Sequence, residues 1–185
     1  MQVAGVEISF PEASSEASRT VSAGARACFE EVRLPSGEPF EFAVPGERSF
    51  LALHDIVLED GELRVGGGAP VRGGDLRRTL TYIPAGVQTQ GWSRPSARRQ
   101  SFTAIHFDSG DMPGGLVAHG ALEEPSTYFR SRELERVLVR LRRSLHQPEP
   151  FAEVLRETLF DLAMVELVTQ LTASAPDPGP ERALS

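Results

Sequence analysis

The spacing of apolar positions changes near residue 125 of this 185-residue chain. Upstream, short apolar runs alternate with Gly, Pro and Asp clusters; downstream, the period becomes helical. A strand is predicted from Ala27 to Leu34, closed by Pro35-Ser36-Gly37-Glu38-Pro39. Phe40 and Phe42 restart an extended run that ends at Pro45-Gly46. From Ser49 to Leu58 the run is almost continuously apolar, with His54 and Asp55 at its middle. Asp60-Gly61, followed by Leu63 and Val65, has the signature of a tight hairpin. Gly66-Gly67-Gly68 and Pro70 break the sheet, and Gly73-Gly74-Asp75 makes a second turn. Leu76 to Ile83 is predicted as a strand stopped by Pro84-Ala85-Gly86. Gln100 to Asp108 is the last clear strand, with Phe102, Ala104 and His106 on one face and Thr103, Ile105 and Phe107 on the other. Short strands at regular turns predict a closed or folded-over antiparallel sheet, a β-barrel or jelly roll.

After residue 125 two helices are predicted. Ser131 caps the first, Glu133 and Glu135 sit in its positive first turn, and Leu134, Val137, Leu138, Leu141 and Leu145 form one apolar stripe. It stops before Gln147-Pro148, and Pro150-Phe151 opens the second. From Leu162 onward the second helix is apolar on more than one face, whereas a terminal surface helix needs one buried stripe. Either it is sunk in its own domain or a second subunit covers it. The residues expected at such a dimer interface are Leu138, Leu141, Leu145, Leu162 and Val165. The organisation predicted is a barrel over 1–125, a helix pair over 126–172, and a Pro-rich linker or tail over 173–185.

Composition narrows the function. The 19 basic residues, all Arg, against 26 acidic ones give a net charge of −7, which is not the footprint of a direct nucleic-acid binder. Cys28 is the only cysteine, so neither an internal disulfide nor a thiolate zinc cage is expected. No basic leader with an apolar stretch opens the chain, and no run reaches membrane-spanning length. A cytoplasmic protein without membrane contact is expected.

Tyr82-Ile83-Pro84-Ala85-Gly86, then Gly91-Trp92-Ser93, then Ala104-Ile105-His106-Phe107-Asp108 together resemble the N-terminal sensing domain of AraC-type transcriptional regulators. The resemblance spans Phe50 to Thr172, including the order of barrel then helices. It implies a fold that is mainly β with C-terminal helices: a cupin-like β-barrel or jelly roll followed by an antiparallel helix pair. It further implies a small-molecule effector in the barrel, a homodimer, and DNA contact only through a helix-turn-helix domain missing from this chain. The missing half leaves two alternatives, the sensing part of a longer regulator or a natural free-standing cupin that modulates one by protein contact.

The residues bear on other chemistries as well. Catalytic cupins hold a metal with two nearby histidines, a carboxylate and a later histidine, because a divalent ion needs about three such ligands. Here His54 stands alone with Ile56 where a second His would be, and Thr89 occupies the later position. No metal, no cofactor and no catalytic residue is therefore expected, with a metal-dependent cupin enzyme as the alternative. No Gly-x-Ser-x-Gly elbow is present, Cys28 lies in a strand pattern, and neither His119 nor His146 is spaced to a nucleophile. Gly66-Gly67-Gly68 lacks the Lys-Ser/Thr of a phosphate cradle. Arg136, Arg140 and Arg143, with Arg142 beside them, fit a solvated helix face, a phosphate contact or an acidic partner surface. What remains is the barrel interior. Its expected ligand-binding residues are His54, Tyr82, Trp92, Phe102 and His106, the polar and aromatic types that pockets use.

Overall fold

The fold is that of a computed structural model, which describes residues 7–9, 18–35, 37–114, 116, 120–146 and 151–174. Eleven strands build two antiparallel sheets. One sheet holds β1 (Glu7–Ser9), β4 (Phe40–Val44), β9 (Thr89–Pro95), β6 (Leu58–Val65) and β7 (Val71–Arg72), in the order β1-β4-β9-β6-β7. The other holds β11 (Ser126–Phe129), β8 (Leu80–Ile83), β5 (Ser49–Asp55), β10 (Gln100–Phe107), β3 (Ala27–Leu34) and β2 (Ser18–Ala23), in the order β11-β8-β5-β10-β3-β2. From β3 to β10 the chain passes back and forth between the sheets. That alternation makes a jelly roll, the double-stranded β-helix of the cupin type. Helices α1 (Arg132–His146) and α2 (Ala152–Ser174) follow.

Burial explains the two kinds of strand pattern. The helices cover the outer face of the six-stranded sheet, so its central strands are buried on both faces. On β5, Leu51 and Leu53 meet the helices, while Phe50 and Ala52 face the barrel interior. A strand buried on both sides reads as a continuous apolar run, as Ser49 to Leu53 does. The five-stranded sheet turns its other face to solvent and alternates accordingly, with Glu41, Glu62, Arg64 and Trp92 outward.

Three predicted features are corrected. Asp60-Gly61 is not a hairpin turn; β6 runs through it, pairing Asp60 with Arg94 and Gly61 with Ser93 after a bulge at Leu58. The Asp60 carboxylate accepts the Gly61 N–H at 2.9 Å, which imitates a turn locally. A Cβ on Gly61 would stand 3.0 Å from the Trp92 carbonyl oxygen, so the glycine serves close strand approach. The strand predicted over Leu76 to Ile83 begins only at Leu80. Arg78 takes a left-handed φ of 63° and Thr79 N–H bonds back to the Leu76 carbonyl, forming a turn. Gln100 to Asp108 is not the last strand, because β11 follows it along the edge formed by β8.

Both helices are anchored to the barrel. Ser131 Oγ accepts the Leu134 N–H at 3.4 Å, as the cap predicted there should. His146, in the last turn of α1, bonds Glu31 on β3. In the β2–β3 turn, Arg26 donates from Nε to Glu157 at 3.0 Å and from Nη1 to Asp161 at 2.6 Å, both on α2. Its guanidinium also lies 5.1 Å from the Phe160 ring centroid. Arg26→Ala removes all three contacts at a half-exposed site, so it is expected to cost about 1 kcal/mol. Calorimetry should show a thermal midpoint lower by roughly 2–4 °C. An unchanged midpoint would mean that α2 is held without this clamp.

Candidate functional site

Alternation along each strand decides which side chains reach the interior. β5 sends in Phe50, Ala52 and His54, β10 sends in Phe102 and Ala104, and β8 sends in Thr81 and Ile83. From the opposite sheet come Phe40, Phe42 and Val44 of β4, with Thr89 and Ser93 of β9. Gly91 stands between those two on the same face of β9. A Cβ there would come within 2.7 Å of the Phe42 ring and would also strike the Glu62 carbonyl. The missing side chain lets Phe42 lie over the strand.

These side chains leave a cavity of about 80 Å³. Its wall is mostly aromatic and aliphatic, its polar members are His54, Thr81, Thr89, Ser93 and Tyr128, and among the described residues no charged side chain lines it. His54 Nε2 lies 2.9 Å from Thr81 Oγ1. Its Nδ1 has no hydrogen-bond partner among the described residues, and neither has Thr89 Oγ1. The His54 side chain is partly buried, and its Nδ1 is buried. Burial pushes its pKa down from 6.5 to about 4, so the imidazole is neutral at pH 7.

Tyr128 completes the wall and was not foreseen in the sequence. It belongs to β11, where the pairing with β8 slips between Ser126 and Phe129, and its φ is 54°. The slip turns its ring inward, edge-on to His54 at 5.9 Å. Burial pushes the phenol up to about 12. No periodicity marks a residue placed by a bulge.

Of the five residues expected to bind ligand, His54 and Phe102 line the cavity together as cross-strand partners. The other three do not line it. Tyr82 faces the helices and donates its hydroxyl to the Leu122 carbonyl at 2.9 Å. Trp92 points to solvent from the far sheet, between Glu41 and Glu62 on the neighbouring strands. His106 faces inward four residues from Phe102, about 13 Å along the strand at ~3.3 Å per residue. There it is buried against Phe50 and bonded to Glu30 at 2.7 Å, whose other oxygen meets Arg19 at 3.3 Å. The odd-even phase of β9 put Trp92 outside, and the sequence alone did not show that Thr89 to Pro95 is a strand.

The expected dimer-interface residues also divide. Leu138 and Leu141 are fully buried in the core between helices and sheet and offer no outer surface, while Leu145 packs against that core and is partly exposed. Leu162 and Val165 are 45% and 44% exposed, on a stripe of α2 with Val154, and exposed Phe151 stands just ahead of the helix. Cys28 is buried, and burial raises its thiol pKa, which leaves it protonated and unreactive at pH 7. Arg136 pairs with Glu133 within α1. Among the described residues no three His, Cys, Asp or Glu side chains gather as metal ligands, and no helix is long and apolar enough to cross a membrane. His119 and residues 175–185 of the predicted tail lie outside the described residues.

No family model and no curated protein matches this chain. Solved structures do. A cupin domain from Bordetella pertussis Tohama I is 21% identical over 50% of this chain and 93% of its own, with a TM-score of 0.38. An RmlC-like cupin family protein with a double-stranded β-helix fold, from Methanocaldococcus jannaschii, is 13% identical over 55% of this chain and 89% of its own, at 0.39. Oxalate decarboxylase from Bacillus subtilis is 14% identical over 45% of this chain and 21% of its own, at 0.34. The fold assignment rests on this chain's own strand order and register.

Proposed function

We propose that this chain is the ligand-sensing and dimerisation module of an AraC-type transcriptional regulator. A small effector enters the barrel cavity, and the helices carry its presence to DNA-binding domains outside this chain. One observation carries the reading: the cavity wall includes Tyr128, which stands four residues ahead of α1. Its neighbour Phe129 packs into the core shared by helices and sheet. A ligand that moves the Tyr128 ring therefore acts on the strand that delivers α1. It shifts the equilibrium only by binding one arrangement of Tyr128 and β11 better than the other.

The exposed stripe on α2 supplies the second half of the reading. Phe151, Val154, Leu162 and Val165 fall at spacings of three, eight and three, with exposed Thr158 between, as on the seam of a helix pair. A second copy of the chain covers it. Light scattering at micromolar concentration is expected to give twice the 20.1 kDa of one chain, and Leu162→Arg with Val165→Arg is expected to halve that mass. Fused ahead of a DNA-binding domain that represses only as a dimer, the chain should repress a reporter and the double variant should not. A wild-type chain that stays monomeric and silent would remove the proposal.

A further inference from the structure

The chemistry of the cavity limits what it can receive. None of the 17 side chains lining it is charged, so an anion or cation placed there would lose its hydration and gain no counter-charge. The wall is not uniformly apolar, however. Two polar atoms, His54 Nδ1 and Thr89 Oγ1, are buried without partners among the described residues. Groups of this kind are normally satisfied in proteins, and each unmet one costs free energy that a ligand can recover.

The hydrogen bonds around His54 bear on which kind of group it offers. The Tyr128 backbone N–H donates to Thr81 Oγ1 at 3.5 Å, so that oxygen is already an acceptor. One lone pair of that oxygen is thus taken, and its hydroxyl hydrogen can point at His54 Nε2, 2.9 Å away, although a hydroxyl oxygen can also accept a second time. A neutral imidazole accepting at Nε2 carries its hydrogen on Nδ1. In that tautomer His54 presents a donor, and the Thr89 hydroxyl can donate beside it. Size sets the last limit. At ~10–15 Å³ of such space per water-sized group, the 80 Å³ cavity has room for about six heavy atoms.

We infer that His54 carries its ring hydrogen on Nδ1 and that the cavity takes a small neutral carbonyl compound of about six heavy atoms, a ketone or ester, whose oxygen accepts from His54 Nδ1 and whose remainder packs against the aromatic wall. The inference rests on the barrel being a receptor. It also assigns Tyr128 a part in recognition, because the same Thr81 hydroxyl joins the β11 backbone to the ring that binds the ligand. Occupancy at His54 is thus felt at the strand leading to α1.

Three probes of matched size test it on the full chain with ring-¹⁵N-labelled histidine: cyclopentanone, cyclopentane and butyrate. Cyclopentanone is expected to move the His54 Nδ1 resonance and to bind about tenfold tighter than cyclopentane, the equivalent of about 1.4 kcal/mol. Butyrate should leave the resonance in place. The near-isosteric Thr89→Val is expected to reduce the preference for the ketone without weakening cyclopentane. Equal affinity for the two neutral probes, or an Nδ1 shift typical of an unprotonated nitrogen, overturns the inference while the receptor reading stands. Tighter binding of butyrate overturns the neutral class in the same way. Exclusion of all three probes, with no change at His54, overturns both.

Discussion

Phe160→Ala is expected to destabilise the protein by about 3–5 kcal/mol, the range for deleting a fully buried aromatic ring. Phe160 is completely buried near the middle of α2. Its ring meets Phe107 of β10 at 5.7 Å, edge to face, and receives the Arg26 guanidinium. The variant thus loses apolar burial, an aromatic pair worth about 0.5–1.5 kcal/mol beyond its area, and the packed side of a clamp. Little can refill the space, since Ala163, Met164 and Leu159 around it are already buried. Denaturant unfolding should be followed by two signals. Far-UV circular dichroism reports the helices, while fluorescence of Trp92, on the far sheet, reports the barrel. Coincident transitions shifted to lower denaturant mean that helices and barrel share one cooperative core. A loss below about 1 kcal/mol would show that α2 does not dock through this face.

That shared core is also where the sequence was easiest to read. The stripe Leu134, Val137, Leu138, Leu141 gave α1 its register, and Ser131 its start, because helix period and caps are local properties. The long strands β3, β5 and β10 were legible for the same reason. Their faces alternate visibly or, as in β5, are buried on both sides and run apolar. The jelly roll followed from the number and spacing of such strands, and it is what the strand order shows.

What was not legible lies where geometry depends on a distant partner. β9 runs Thr89-Gln90-Gly91-Trp92-Ser93-Arg94-Pro95, a segment with few apolar residues, because its inner face is Thr, Gly and Ser beneath the rings of β4. A strand whose interior positions are small and polar shows no hydrophobic alternation. The misplacement of Trp92 followed directly, since a residue assigned to a loop mouth has no face. Asp60-Gly61 misled in the opposite sense, supplying turn chemistry inside a continuous strand, where a bulge absorbs it. Tyr128 was lost for a third reason. Its inward ring is set by a register slip and a left-handed φ, neither of which composition signals. Two of the five expected pocket residues, His54 and Phe102, do line the cavity; the face of Phe102 was read from alternation along its strand, and His54 is its cross-strand partner.

Stability is expected to fall by about 3 kcal/mol as pH drops from 6.5 to 4, through His54 alone. The imidazole sits in an apolar wall that pushes its pKa down from 6.5 to about 4 by removing it from water. Above pH 6.5 the ring is neutral in both the folded and unfolded chains, so it exerts no pH-dependent pull. Between 6.5 and 4 the unfolded chain takes up a proton that the folded one refuses, and mass action draws the equilibrium toward unfolding. Below about 4 both states are protonated and the loss levels off. Other ionisable groups also contribute to a whole-protein stability curve, so the informative quantity is a difference. The stability curve of His54→Gln, which keeps a polar group of similar reach but cannot be charged, should be flatter than the wild-type curve between those limits. The gap between the two curves should narrow by about 3 kcal/mol from pH 7 to pH 4, and the wild-type imidazole should titrate near 4 by NMR. Parallel curves, or a His54 that titrates near 6.5, would place the ring in water. A hydrated His54 could not be the buried donor that gives this barrel its selectivity.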